Sequence, residues 1–391
     1  MSNQFKHCNR NAWGRTSKAP KVPPNVMSLF NTIFDLFRRH PYERLPGSGD
    51  FRSNQAAKRQ GRVLLAAKIL ANLVVLWILA KFLSWKGPYN PFDDYQLLNT
   101  LPLLREDRRP STHRAAIFSS LYSDSFAIGA AVLGHSIRRA NVNASLVLVY
   151  LDDRVSSQAL CITEAAGWDN QAVSLLPPPH NGKGIHYRFV DQYTKLRIWS
   201  LGEKLGFDSG VYLDADTMVR RNLDELFDLP WEFGATPDVY RDNSKFVITF
   251  NAGVLAFKPS TRTFEEMRAK LETASFPLAE AEQAFLNLYF GAKMVRLPYA
   301  YNANIVVKER SLKMWEELKD TMKVIHYSVI KPFWDKSIPN DKLMTPEQVR
   351  KVNDVRAGKN GGFFREEMGW WREIFEDLMQ EKGAAIDACY S

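Results

Sequence analysis

The chain has 391 residues, of which 45% are hydrophobic, and this is enough apolar material for one large folded core or two modest ones. The formal net charge is +9, but the first 62 residues alone hold twelve Lys or Arg and three Asp or Glu, so the rest of the chain is neutral. A nucleic-acid-binding protein is expected to carry its excess positive charge on the folded domain, and the composition therefore argues against that class of partner.

An apolar segment, 63–85, follows this basic tail. As a helix, its 23 residues would span roughly 34 Å, which is enough to cross the hydrocarbon core of a bilayer. The alternatives are a buried core helix and a secretory signal peptide, although signal peptides begin near the N-terminus and about 60 residues precede this segment. Because positively charged flanks face the cytosol, we expect 1–62 to be a cytosolic tail, 63–85 a single transmembrane anchor, and everything beyond to be lumenal.

The segment after the anchor, 86–112, is rich in Pro, Asn and charged residues and shows no clear period. We therefore expect a stem between the membrane and the folded domain. On the lumenal side, Asn143 begins an Asn-Ala-Ser sequon, and Cys161 and Cys389 are the only two cysteines that could meet there. The sequence leaves open both the glycosylation of Asn143 and the pairing of these cysteines.

Predicted strands and helices alternate after the stem. The strands are 115–118, 146–151, 172–176 and 211–213, and the helices are 126–138, 156–166 and 191–204. This alternation predicts an α/β domain with a mostly parallel central sheet and helices on both faces. We assign 113–340 to this domain and 341–391 to a C-terminal helical extension.

Two carboxylates, Asp214 and Asp216, directly follow the last of these strands. Ligands of open α/β sheets bind outside the carboxyl ends of the strands, so this is where a binding site is expected. Two acids at i and i+2 can both reach one hard divalent cation, which would also bind substrate phosphates. The alternative is that both side chains only cap the backbone of the turn.

Further motifs surround the two acids in a fixed order. They are YTKLRIW at 193–199, YLDADTMVRRNLDELF at 212–227, FNAGV at 250–254, EQAFLN at 282–287, LP and YN at 297–302, and HYSVIKP at 326–332. In order and spacing, over about 115–334, these segments resemble glycosyltransferase family 8, the glycogenin-like retaining transferases. The resemblance implies a nucleotide-diphospho-sugar transferase fold of the GT-A type.

The resemblance also implies an activity. It implies a metal-dependent retaining hexosyltransferase that moves glucose, galactose or N-acetylglucosamine from a UDP-sugar to a hydroxyl acceptor, expected to be a glycan in the Golgi. The implied metal ligands are Asp214, Asp216 and His326, a set of two oxygens and one nitrogen that suits Mn²⁺, with Mg²⁺ as the alternative. The rival functions are a soluble self-glucosylating primer enzyme and a catalytically inactive membrane scaffold of the same fold.

The resemblance assigns further roles residue by residue. It places the donor against Phe126, Lys195, Asp214, Ala215, Asp216, Asn251 and Lys331, and the catalytic centre at Lys195, Glu282 and Gln283. Phe126 would stack on uracil, and the two lysines would oppose the negative charge of the leaving group. Without the resemblance, Phe126 would be a core residue, Lys195 a solvated helix lysine, and Asn251 and Gln283 loop-to-backbone bridges.

Two positions depart from the family pattern. Val329 stands where the family has a glycine, and Glu282 replaces the more usual aspartate before Gln283. We expect both changes to affect how the donor fits. Farther along, 364–379 carries apolar residues on one helical face, which predicts a helix that closes the domain, with an acceptor-binding element as the alternative.

Overall fold

The structure is a computed structural model that describes residues 53–84, 90, 92–97, 103, 114–240 and 247–391. Residues 1–52 of the predicted cytosolic tail lie outside this described part of the chain. The chain divides into two units, Met1–Gly87 and Pro88–Ser391, which are described separately below.

The first unit contains one long helix, α1, Ser53–Leu83. Its Gln60–Leu83 part has 24 residues with a mean hydropathy of 2.4, and its side chains are exposed. By length and composition, α1 can cross a membrane, as expected for the predicted anchor.

The second unit alternates strands and helices. In chain order they are β1 Ala115–Leu121, α2 Ala127–Arg139, β2 Ser145–Leu151, α3 Ser157–Ala165, β3 Asp169–Val173, α4 Arg197–Lys204, β4 Ser209–Leu213, β5 Thr217–Val219, β6 Phe233–Pro237, β7 Phe250–Phe257, α5 Thr261–Lys270, α6 Ala281–Phe290, β8 Val295–Arg296, β9 Ala303–Asn304, α7 Val306–Arg310, α8 Leu312–Leu318, β10 Val324–His326, α9 Pro346–Gly358 and α10 Arg365–Ala388. Every predicted strand and helix has a counterpart among these elements.

The main sheet has seven strands in the order β3-β2-β1-β4-β7-β6-β8. The first four strands are parallel, and β7 runs antiparallel to both β4 and β6. The prediction of a mostly parallel central sheet is thus confirmed. The chain leaves β1 first toward β2 and later returns to place β4 on the other side, so the carboxyl ends of β1 and β4 form the switch point where ligands bind in such sheets.

Helices cover both faces of this sheet. Successive strand residues point to opposite faces, and Ile117 and Phe118 of β1 accordingly belong to two different buried clusters. Ile117 packs in the cluster that includes Trp371 of α10, whereas Phe118 packs in the cluster that includes Trp199 of α4. Both faces of the central strands are therefore buried, which is why these strands are almost entirely apolar.

A second, three-stranded sheet brings the end of the chain to the switch point. Its order is β5-β10-β9, with β10 antiparallel to β5 and parallel to β9. In this register His326 pairs with Thr217, the residue after Asp216, and with Asn304. This small sheet therefore sets His326 beside the two acids, from which it is separated by about 110 residues of sequence.

Residues 90 and 92–97 pack on the folded domain, which is not expected of a stem that spans all of 86–112. Phe92 is buried, Asn90 donates from Nδ2 to the carbonyl of Arg310 at 2.8 Å, and the Ser311 hydroxyl donates to Asp93 at 2.6 Å. Phe92 packs in the core although it belongs to a Pro- and Asn-rich segment, and composition alone does not predict this burial. The folded unit accordingly begins earlier than the predicted 113.

The strand predicted at 172–176 is instead β3, Asp169–Val173. Its first residues are polar and have no apolar alternation. They can still form a strand because β3 is at the edge of the sheet and pairs only with β2, so its side chains stay partly solvated. The predicted helix 191–204 likewise begins as a short 3₁₀ turn, Gln192–Leu196, before α4.

The C-terminal helix α10 closes the core, as predicted, rather than presenting an aromatic face to the cleft. Met368, Trp371, Phe375 and Leu378 are all buried, and α10 packs against α2 and α3. A disulfide between Cys161 of α3 and Cys389 attaches the end of the helix to the domain. The pairing that the sequence left open is therefore formed, and it joins residues 228 positions apart.

A buried ion pair fixes the start of α10. The Glu367 carboxylate is fully buried and accepts from Lys308 Nζ at 2.7 and 2.9 Å and from Trp315 Nε1 at 2.8 Å. The Glu367 carbonyl accepts from the Tyr327 hydroxyl at 2.8 Å. Three separate elements thus converge on one residue of α10, close to the segment that follows His326.

We expect Lys308→Met to lower the free energy of unfolding by about 3 to 5 kcal/mol, because it leaves the Glu367 charge buried without a counterion. Urea denaturation of the full chain in detergent measures this change. Lys313→Met is the matched control, because the Lys313–Asp94 pair is solvent-exposed and solvent screens its charges, so its loss should change stability little. Equal effects of the two substitutions would show that the buried pair has no special role.

Candidate active site

The two acids lie in a turn between β4 and β5 that neighbouring segments hold in place. The Asp214 N–H donates to the Gly253 carbonyl, and the Tyr327 N–H donates to the Asp216 carbonyl, both at 2.9 Å. Among the described residues, neither carboxylate accepts a backbone N–H; both accept from side chains instead. The alternative that these acids are only turn caps is therefore excluded.

Asp214, Asp216 and His326 form one cluster. Each offers one ligand atom, and the three atoms lie within 4.8 Å of one another. Asp216 and His326 are buried and Asp214 is half-buried, so the cluster opens to solvent on one side only. Two carboxylate oxygens and an imidazole nitrogen are ligands that a divalent cation such as Mn²⁺ or Mg²⁺ accepts. The residues that the sequence proposed as ligands thus fit such a metal.

A chain of hydrogen bonds orients the His326 ring. The Gly253 N–H donates to Asn251 Oδ1 at 3.1 Å, and Asn302 Nδ2 donates to the same oxygen at 3.0 Å. Asn302 must then present its Oδ1 to His326 Nδ1, 3.1 Å away, so Nδ1 carries the proton. The other nitrogen, Nε2, keeps its lone pair and lies 3.3 Å from Asp216 Oδ1. This tautomer is the one that a metal ligand requires.

Gly253 is a glycine because His326 approaches it closely. A Cβ atom at this position would lie 2.3 Å from Cε1 and 2.7 Å from Nδ1 of the His326 ring. Any side chain would therefore displace the imidazole from the cluster. This contact explains the glycine of the FNAGV motif by the space that the ring occupies.

Lys331 lies on the open side of the cluster. Its Nζ forms an ion pair with Asp216 and also donates to the Ser328 carbonyl at 3.3 Å. Burial opposes ionisation of Asp216, but the Lys331 ammonium group outweighs it and holds the pKa of this carboxyl well below its usual range. Asp216 is therefore ionised at neutral pH. Val329, in the place of the family's glycine, is 41% exposed, so its side chain does not fill the site.

Lys195 is buried beneath the cleft, so the alternative of a solvated lysine is excluded. Its Nζ lies 2.9 Å from Glu282 Oε1 and 3.2 Å from Asp214 Oδ1, and it donates to the Ala252 carbonyl at 3.2 Å. Burial alone would lower the pKa of Lys195, but Asp214 and Glu282 together raise it above the ordinary value. Lys195 thus stays charged and joins a proposed metal ligand to the proposed catalytic carboxylate.

Tyr212 is a site residue that sequence reasoning missed. Its hydroxyl donates to Asp214 Oδ1 at 2.7 Å and is 2.7 Å from the Ser120 hydroxyl. Burial and the neighbouring Asp214 charge raise the pKa of Tyr212 well above its ordinary value, so it remains a donor. The signal was present in the sequence: residues two apart in a strand point to the same face, so the tyrosine before Asp214 could reach it.

Asp238 is a second missed residue. It directly follows β6, and this strand runs parallel to β4, so Asp238 and Asp214 lie at the same edge of the sheet. Asp238 is buried and accepts from Gln283 Nε2 at 2.8 Å and from Asn251 Nδ2 at 3.3 Å. The strand-end rule that singled out Asp214 would also have found Asp238.

The start of α6 is held in a strained conformation. Ala281 has φ 50° and ψ −136°, a region that residues other than glycine rarely adopt. This turn aims the next two side chains, Glu282 toward Lys195 and Gln283 toward Asp238. The strained residue therefore directly precedes two candidate site residues, Glu282 and Gln283.

The candidate residues meet at one cleft with a volume of about 760 Å³. The site residues that line it are Phe126, Asp214, Ala215, Asp216, Glu282, Gln283 and Lys331. Phe126 is half-buried and packs edge-on against Phe333, with ring centroids 5.5 Å apart. Lys195, Asn251 and His326 lie behind the wall and contact the lining residues. All ten predicted residues therefore belong to one site, although the role of each stays a prediction.

We expect Tyr212→Phe to weaken Mn²⁺ binding in the presence of UDP by roughly tenfold, because Asp214 loses the hydrogen bond that orients its carboxylate. Electron paramagnetic resonance of free Mn²⁺ measures this affinity without any turnover. Tyr193→Phe is the matched control, because the buried Tyr193 hydroxyl has no hydrogen-bond partner in the described part of the chain. Identical affinities for both variants would mean that Tyr212 does not orient the ligand.

Known proteins are similar to this chain in sequence. Inositol phosphorylceramide glucuronosyltransferase 1 of Arabidopsis thaliana is 31% identical over 247 residues, 57% of this chain and 43% of that protein. UDP-glucuronate:xylan alpha-glucuronosyltransferase 2 of the same plant is 29% identical over 237 residues, which are 58% of this chain and 37% of that protein. Human glycogenin-2 is 31% identical over 217 residues, which are 52% of this chain and 40% of that protein. The chain thus spans less than half the length of these relatives.

Among solved structures, the bifunctional glycosyltransferase WbbM has 18% sequence identity and a TM-score of 0.43, and the similarity covers 69% of this chain and 52% of that one. The sequence model of glycosyl transferase family 8 matches residues 117–337. This match is more than half of the chain and includes every predicted site residue. The mostly parallel α/β sheet agrees with the fold expected from the sequence, and the chain belongs to glycosyl transferase family 8.

Proposed function

We propose that this enzyme transfers a hexose from a UDP-sugar to a hydroxyl group of a glycan, with retention of the anomeric configuration and with Mn²⁺ as its metal. The observation that carries the proposal is the cluster of Asp214, Asp216 and His326 at the strand end, with ligand atoms within 4.8 Å of one another. Mg²⁺ has the same preference for carboxylate oxygens and is the alternative metal.

When bound, the metal would neutralise negative charge on the diphosphate leaving group. The protein's own residues supply position and charge around it. Lys331, on the open side of the cluster, is placed to add a positive charge at the phosphates. Lys195 is too deeply buried for that role; instead it holds Asp214 and Glu282 in position. We therefore assign Lys195 a positioning role.

Retention requires either two successive displacements or a reaction on one face of the sugar. The first route needs a nucleophile, and Glu282 is the carboxylate that the motifs offer for this role. Lys195 binds its Oε1 at 2.9 Å, which stabilises the charge that a nucleophile would have to share. We favour the front-face route: the acceptor oxygen bonds to the anomeric carbon as the bond to phosphate breaks, and the departing phosphate oxygen takes the acceptor's proton.

The sugar end of the site favours a neutral hexose. Asn251, Gln283 and Asp238 form a hydrogen-bonded group there, and Glu282 adds a second carboxylate. Carboxylates and amides suit sugar hydroxyls, as in glucose, galactose or N-acetylglucosamine. Two relatives are named for glucuronate transfer, which makes UDP-glucuronate a second candidate donor. Its carboxylate would approach Asp238 and Glu282, and this like-charge approach argues against it.

We also propose a single-pass type II protein of the Golgi, with the domain in the lumen. The apolar helix α1 after a basic tail supports the orientation, and the Cys161–Cys389 disulfide fits an oxidising compartment. Asn143 is exposed, so its sequon is accessible to glycosylation. An anchor argues against a soluble self-glucosylating primer enzyme, and the complete ligand set argues against an inactive scaffold.

We expect the full chain, purified in detergent, to release UDP from at least one of UDP-glucose, UDP-galactose and UDP-N-acetylglucosamine only when Mn²⁺ or Mg²⁺ is present. In Asp216→Asn, UDP binding by titration calorimetry should weaken by roughly tenfold or more with Mn²⁺, because one charged ligand is lost. Without metal the difference should shrink or reverse, since a carboxylate repels the diphosphate.

Asp320→Asn is the control for that experiment, because Asp320 is exposed and lies outside the cleft. If Asp216→Asn bound UDP and Mn²⁺ as tightly as the control, the proposed metal site would be wrong. If the enzyme released UDP from UDP-glucuronate and from none of the three neutral UDP-sugars, the proposed donor would be wrong and UDP-glucuronate would take its place.

The proposed orientation is tested separately in sealed microsomal vesicles. A protease added outside should cleave a tag placed before Arg62 and spare a tag placed after Ser391, because α1 would separate the two. Detergent should make the second tag accessible, which controls for its intrinsic resistance. Cleavage of both tags in intact vesicles would contradict the type II assignment.

A further inference from the structure

Two exposed aromatic side chains stand at the mouth of the cleft. Tyr187 and Phe189 belong to a single 3₁₀ turn and are 74% and 44% exposed. The His186 ring packs against both, with centroid distances of 4.5 Å to Tyr187 and 5.6 Å to Phe189. The three rings form a group, here called the aromatic platform, that both borders the cleft and faces solvent.

The platform is held between two segments of the site. Arg188 lies over the ring of Trp334 at 4.5 Å, which attaches the turn to the segment that follows Lys331. On the other side, the backbone at Gly184 lies close to the Leu278 side chain: a Cβ atom built on Gly184 would be 3.3 Å from it. Leu278 lies three residues before Ala281 in the chain. The platform therefore adjoins the residues proposed to bind the donor sugar.

Acidic residues dominate the outer part of the cleft. Four acids and two arginines line it: Asp153, Asp191, Glu280, Asp341, Arg154 and Arg188. Arg154 is already engaged by Asp191 at 2.6 Å, and Arg188 covers Trp334. Glu280 and Asp341 are exposed and form no ion pair with any described residue. An anionic acceptor would meet a net negative charge from these described residues.

We infer that Tyr187 and Phe189 bind the acceptor, and that the acceptor is a neutral carbohydrate chain rather than an anionic lipid head group. Sugar rings carry apolar C–H faces that pack on aromatic rings, and their hydroxyl edges can donate to the surrounding carboxylates. A platform beside the donor-sugar residues would present such a ring to the anomeric carbon. This inference rests on the proposed function and adds to it the residues that bind the acceptor and the neutral charge of the acceptor chain.

The test uses the full chain in detergent with Mn²⁺ and the UDP-sugar that it turns over. The acceptor probes are neutral oligosaccharides of glucose, xylose and mannose, compared with micelles of phosphatidylinositol. We expect transfer to at least one neutral oligosaccharide and none to phosphatidylinositol. In Tyr187→Ala/Phe189→Ala, the KM for that oligosaccharide should rise roughly tenfold or more, with a smaller change in kcat, because two stacking surfaces are lost.

Trp231→Ala is the matched control: Trp231 is also a large exposed aromatic, 49% exposed, but does not line the cleft. The KM of this control variant should equal that of the wild type. UDP titration calorimetry of the double variant should give the wild-type affinity, which checks that its donor site is intact. Transfer to phosphatidylinositol, transfer to no neutral oligosaccharide, or an unchanged KM in the double variant would each overturn the inference. In these cases metal-dependent UDP release would still stand, whereas loss of that release in the wild type would refute the proposed function itself.

Discussion

The Lys195 ammonium group, buried between Asp214 and Glu282, is the constraint on which the site depends. A buried charge is tolerated only when it is paired and hydrogen-bonded, and Lys195 meets this condition through two carboxylates and the Ala252 carbonyl. The same contacts tie three parts of the chain together: the turn before α4, the end of β4 and the start of α6. The Lys195–Glu282 contact lies next to the strained backbone at Ala281 and helps to hold it in place.

Each of the two sheets positions different residues of the site. The main sheet brings Asp214 and Asp238 to one edge, because β4 and β6 run in the same direction. The small sheet adds His326 through its pairing with β5, and the buried Lys308–Glu367 pair stabilises the region that packs behind it. Residues that are far apart in sequence thus converge because strand ends and register place them there.

The sequence predicted the elements of the fold well, and the structure brings the ten candidate site residues to one cleft, because strand ends and motif residues depend on local patterns. It could not predict what each side chain contacts. Lys195 occupies a helical turn that would suit a solvated lysine, and only its tertiary partners show that it is buried. Phe92 lies in a segment of loop-like composition, and it is buried against residues more than 200 positions away, such as Tyr299 and Arg310. Asp238 and Tyr212, by contrast, were accessible to the strand rules already in use.

The charges at the metal end of the site explain why the metal and the nucleotide should bind together. Three carboxylates, from Asp214, Asp216 and Glu282, face two ammonium groups, from Lys195 and Lys331. This group therefore keeps one negative charge, which attracts a cation and repels a free diphosphate. A divalent cation reverses the sign to positive, and the diphosphate then becomes the complementary ligand. The acids that sequence reasoning singled out thus favour the metal first, and through it the UDP-sugar.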